Sequence, residues 1–97
     1  MKDRKKTYVV IFYDSDVYIR NQLVERFTKN QKSIDVRFFK IILRKARSLK
    51  IVREITKQSP FCRLVVDKNL SESEKKSIRD LFYSLDDRKR KCLIQGI

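Results

Sequence analysis

The chain has 97 residues, 41% of them hydrophobic and 38% charged, and its 25 Lys and Arg against 12 Asp and Glu give a formal charge of +13. That length makes one domain around a single core, and one Gly, one Pro and no low-complexity run exclude a linker-rich or disordered chain. The absence of His removes imidazole bases, Ser-His and Cys-His pairs and histidine metal ligands; a lone Gly removes the P-loop and the dinucleotide-binding glycine motif.

Residues 1–6 form a basic N-terminal tail that ends in Lys5 and Lys6, ahead of a domain over 7–97. The tail passes into an apolar run without a small-residue cleavage site, so no secretory signal is expected and an intracellular location follows. The run from Thr7 to Tyr13 is nearly all apolar and rich in β-branched and aromatic residues, as in a strand buried on both faces. Asp14, Ser15 and Asp16 then offer a turn and an N-cap. Ile19, Leu23 and Phe27 recur at four-residue steps, which predicts a helix to about Asn30. Ile34 to Phe39 alternates in part and reads as a second strand, leading into a basic helix that ends at Lys57. Phe38, Ile42, Ala46, Leu49, Val52 and Ile55 also fit helical spacing, so one helix from Ile34 to Lys57 is the alternative.

Ser59-Pro60 ends that helix, because Pro disfavours the helical conformation in the residue before it. Phe61 to Asp67 is the third strand. Ser71-x-x-Glu74 makes a capping box ahead of Ile78, Leu81, Phe82 and Leu85, the apolar face of a third helix, and Cys92 to Gln95 is a short last strand. Strands alternating with helices imply β-α-β units with right-handed crossovers. The expected fold is α/β: strand, helix, strand, helix, strand, helix, strand, with a mainly parallel four-stranded sheet in two or three layers. The apolar runs are too short to cross a bilayer.

The strongest functional signal lies between Arg37 and Lys57, where eight of 21 residues are Lys or Arg and only Glu54 opposes them. Arg37, Lys40, Arg44, Arg47, Lys50, Arg53 and Lys57 follow at steps of three or four, the spacing of one helical face. On a single helix these seven form six repulsive neighbour pairs, a cost of about 1 to 3 kcal/mol at roughly 0.2 to 0.5 kcal/mol each. A polyanion opposite them offsets that cost. The excess recurs in Lys5 and Lys6 and in Arg88, Lys89, Arg90 and Lys91, so three segments share it. These residues predict a nucleic-acid-binding protein that contacts phosphates without reading sequence and without catalysis. RNA is placed before DNA because no helix-turn-helix or zinc-finger spacing occurs. Attachment to an anionic membrane surface ranks lower, because the apolar face of the basic helix is needed for the core.

A second constellation is acidic. Asp14 and Asp16 follow the first strand and Asp67 the third, at the edge of a parallel sheet where ligands collect, and clustered carboxylates suit Mg²⁺. In layout this resembles the acidic pockets of metal-dependent nuclease, Toprim or receiver-type domains, which implies an alternative phosphoryl-transfer reading with Mg²⁺. The plainer reading makes these residues caps and turns. Ser59-Pro60 before a strand resembles the cis-proline step of a thioredoxin-like domain, but Asp14-Ser15-Asp16-Val17 stands where its C-x-x-C belongs. That leaves a non-redox adaptor for an acidic protein partner as a further alternative. Cys62 and Cys92 read as buried, reduced thiols. A disulfide between them requires facing strands and an oxidising compartment.

Overall fold

The structure, a computed structural model, describes residues 5–30, 34–85 and 92–97. β1 (Lys6–Tyr13) holds Val10, Ile11 and Phe12 with no exposed surface, the condition of a strand covered on both faces. The chain turns directly after it. The Asp14 carboxylate accepts from the Asp16 amide at 2.9 Å, and the Asp16 carboxylate accepts from the Tyr18 amide at 2.8 Å, capping α1 (Val17–Asn30). Leu23 and Phe27, one turn apart on α1, are buried against the sheet.

β2 (Phe39–Ala46) and α2 (Leu49–Gln58) follow, then β3 (Cys62–Val66), α3 (Glu72–Tyr83) and β4 (Leu93–Gly96). All strand pairs are parallel and the order is β2-β1-β3-β4. Alternate residues of β1 face opposite layers. Val10 and Phe12 pack with Leu23 and Phe27 under α1, while Val9, Ile11 and Tyr13 pack with Val52, Ile55, Ile78 and Phe82 under α2 and α3. The domain is therefore a three-layer α/β sandwich in which the order of strand addition reverses between β1 and β3. No helix among the described residues is long and apolar enough to cross a membrane.

The second strand corrects the reading of residues 34–57. Ile34 to Phe38 is not strand: Asp35 accepts from the Arg37 amide at 2.9 Å and its carbonyl accepts from the amides of Phe38 and Phe39, a turn that buries Ile34 under α1. β2 lies further on, and each of its eight residues is in register with β1, from Lys6↔Phe39 to Tyr13↔Ala46. Residues 41 to 46, expected in the basic helix, are thus strand. The run Phe38-Phe39-Lys40-Ile41-Ile42-Leu43 suits both periods, and pairing with the buried β1 selects the extended one.

The remaining joints follow local chemistry. Ser48 caps α2, its hydroxyl accepting from the Ile51 amide at 3.4 Å, and Ser59 closes the other end. Ser71 caps α3 by accepting from the Glu74 amide at 3.3 Å, and its hydroxyl also contacts the Glu74 carboxylate at 3.3 Å. No peptide bond among the described residues is cis, so Ser59-Pro60 lacks the step on which the thioredoxin-like resemblance stood. Cys62 and Cys92 are buried in one core cluster and are not joined by a disulfide. The register Arg63↔Leu93 sets Cys62, at the start of β3, beside Cys92, just ahead of β4, and the contact to Cys62 together with burial pushes the Cys92 thiol up.

Candidate nucleic-acid interface

The seven cations at helical spacing are distributed over four segments. Arg37 lies in the turn before β2, Lys40 and Arg44 lie on β2, Arg47 lies in the β2-α2 loop, and only Lys50, Arg53 and Lys57 lie on α2. The single basic rod is therefore absent. At about 100° per residue the three helical cations fall within roughly 60° of arc, so a helical stripe survives over its last third. Two neighbour pairs replace the expected six, which lowers the repulsive cost to about 0.4 to 1 kcal/mol.

The fold restores part of what the helix does not supply. Lys40 and Arg44 share the α2-facing side of β2, since they pair with Thr7 and Ile11 of β1. The chain then turns through Arg47 and Ser48 into α2. Arg44, Arg47 and Lys50 consequently border one open hollow of about 380 Å³, with Ser48, Ile51, Ile55 and Gln58 completing its wall. Glu54 is the one acid in that wall, and it lies 3.8 Å from Lys57. The first turn of α2 carries no acidic residue, so its unpaired amides add positive potential to the same corner.

Neighbours separate the cations into two groups. Arg37 is engaged: its Nε and a terminal nitrogen donate to the two Asp35 oxygens at 3.1 and 2.9 Å. That pairing holds the Asp35 carboxyl below its usual range and raises the Arg37 guanidinium. Lys45, which sequence spacing leaves out of the stripe, turns to the other face and donates to Asn21 Oδ1 at 2.8 Å. Arg44, Arg47, Lys50 and Arg53 are exposed and make no ion pair with any described residue.

The outlying clusters fare differently. Lys5 and Lys6 are exposed where β1 begins, with Lys6 Nζ 5.1 Å from the centre of the Phe61 ring. α2 runs opposite to the strands, so over its 10 residues, about 15 Å, it carries charge from the carboxyl edge of the sheet back towards that end. Arg88, Lys89, Arg90 and Lys91 lie outside the described residues.

The three aspartates are each engaged in local contacts. Asp14 and Asp16 are occupied in capping α1, and Asp14 is buried. Asp67 accepts from the Asn69 amide at 2.8 Å and lies 3.8 Å from Arg26. Among the described residues no group of three His, Cys, Asp or Glu is disposed to hold a metal. The cap-and-turn reading accounts for the contacts of all three carboxylates.

Sequence spacing missed another basic group, Lys68, Lys75 and Arg79, around a second hollow of about 380 Å³ between α3 and β4. Lys75 and Arg79 at a four-residue step were the visible signal, but Glu72, Glu74 and Asp80 nearby masked the excess. Compared with models of protein families, with curated proteins and with solved structures, the chain matches none.

Proposed function

We propose that the protein binds nucleic acid non-catalytically, through phosphate contacts at the corner where β2 passes into α2. One observation carries this reading: Arg44, Arg47 and Lys50 converge on one hollow without ion pairs among the described residues, beside a helix N-terminus that has no acid in its first turn. Guanidinium groups in water give up little when they move to phosphate, whereas Arg37 has to leave Asp35 first. Lys40, Arg53 and Lys57 extend the binding surface along β2 and α2. The length of α2 matches four to five base steps at about 3.4 Å each, so the surface suits a strand of phosphates better than one small anion. RNA remains the first ligand to test, and the intracellular setting expected from the sequence is where such a ligand and two reduced thiols coexist.

Binding measured against stepped salt concentration tests the proposal. Neutralising four to five phosphates of duplex DNA gives a log-log slope of about −3.6 to −4.5, and about −0.7 per phosphate applies to single strands. The triple variant Arg44→Ala, Arg47→Ala, Lys50→Ala should weaken binding and flatten the duplex slope by about 2.7, at roughly 0.9 for each phosphate no longer neutralised. Arg37→Ala should leave the slope unchanged. Unaltered affinity and slope in the triple variant would remove the corner from the reading.

A further inference from the structure

β4 forms one edge of the sheet, and its outer side faces no other strand among the described residues. Ile97 donates its amide to the Val66 carbonyl and accepts from the Lys68 amide, both at 3.0 Å. In a parallel ladder alternate residues turn both backbone groups the same way, so Ile94 and Gly96 present an N–H and a C=O each to the open edge. These strand groups have no partner strand among the described residues and are ready for an added one.

Beside this edge runs a groove. The hollow bordered by Lys68, Lys75 and Arg79 has a floor of Val66, Leu70 and Ile78, and it shares Arg79 and Ile94 with a further hollow of about 280 Å³ lined by Phe82 and Tyr83. Ile94 and Tyr83 are large apolar groups left 45% and 74% exposed. Of the nearby acids, Asp67 shares the wall and lies 3.8 Å from Arg26, and Glu72 lies 3.4 Å from Lys75 and so engages it, which leaves Lys68 and Arg79 without an ion pair among the described residues. An apolar floor beside the unpaired Lys68 and Arg79, next to an open strand edge, fits an extended segment that is apolar in the middle and acidic at its ends.

We propose that the α3-β4 groove docks such a segment of a partner protein as a fifth strand on β4, with acids at both ends of its groove-facing row. A second copy of this chain is the poorer occupant. It would set Lys68, Lys75 and Arg79 against their own counterparts in a molecule of formal charge +13. This surface is separate from the β2-α2 corner, and the proposal stands without the nucleic-acid reading.

The test is an amide-shift NMR titration of the full chain with the capped peptide Glu-Thr-Val-Thr-Ile-Thr-Glu, its Asp and Leu analogues, and a control with Lys in place of Glu. The acidic peptides should bind saturably, with the largest shifts at Ile94 and Gly96, and the Lys control should not bind. Ile94→Pro removes an outward donor without touching the pairing to β3, and Arg79→Glu reverses a rim charge away from the strand. Each should weaken binding about tenfold or more, and Arg79→Glu serves alone if the proline variant does not fold. Three outcomes overturn the proposal: no saturable binding by any acidic peptide, shifts centred on Arg44, Arg47 and Lys50, or a concentration-dependent dimer abolished by Ile94→Pro.

Discussion

Arg37 and Arg44 carry the same charge seven residues apart in sequence, yet their surroundings give them different chemistry. Arg37 is clamped by both oxygens of Asp35, while Arg44 stands on an edge strand facing water. Tyr13 shows the same dependence on neighbours. Burial, and then the negative charges of Glu74 and Asp14, raise its phenol above the ordinary value of 10.0. Below that value Tyr13 is neutral in both folded and unfolded chains, and the stability tied to its proton is intact. Above it the unfolded chain loses the proton first, so stability falls as pH rises through the higher folded value. Urea unfolding across this alkaline range should therefore show a decline that is smaller in Tyr13→Phe, and equal declines in the two proteins would contradict the assignment.

Among the elements, serine caps and edge strands set the layout of the basic surface. Ser48 starts α2 immediately after Arg47, which turns the charge of β2 onto the helix within one loop. Ser71 does the same structural work for α3, and Ser71→Ala should cost about 1 kcal/mol in urea unfolding with little change in the denaturant slope. A cost near zero would show that the Ser71 hydroxyl contributes nothing to the cap. β2 is an edge strand as well, and its exposed Lys40, Arg44 and Lys45 are residues that discourage edge-to-edge association. The same cations thus have a protective role that is compatible with binding a polyanion. β4 limits unwanted pairing differently, by being only four residues long.

Across the full domain, a formal charge of +13 on 97 residues means that folding gathers like charges together. Screening relieves that repulsion, since the Debye length shrinks from about 30 Å at 0.01 M salt to about 10 Å at 0.1 M. The free protein should therefore melt at higher temperature as salt rises over this range. Nucleic acid should raise the melting temperature most at low salt, in proportion to the logarithm of ligand excess over its dissociation constant. A melting temperature that falls with added salt would mean that surface ion pairs outweigh the repulsion. The four ion pairs among the described residues are mostly exposed and of small individual worth, which argues for repulsion.

The order of strands and helices was legible in the chain before folding, because hydrophobic period, Asp and Ser caps and the Ser59-Pro60 stop are local properties. So was the partner class to be tested, since net charge does not depend on folding. Where β2 begins was settled by packing alone: residues 39 to 46 satisfy two periods, and the buried β1 alongside them admits one. That choice broke the rod of cations, moved Arg44 and Arg47 to a corner and tied Arg37 to a turn. The carboxylates were settled in the same way, because whether Asp14, Asp16 and Asp67 cap their own turns or share one ligand depends on distances between strand ends that no spacing in the chain encodes.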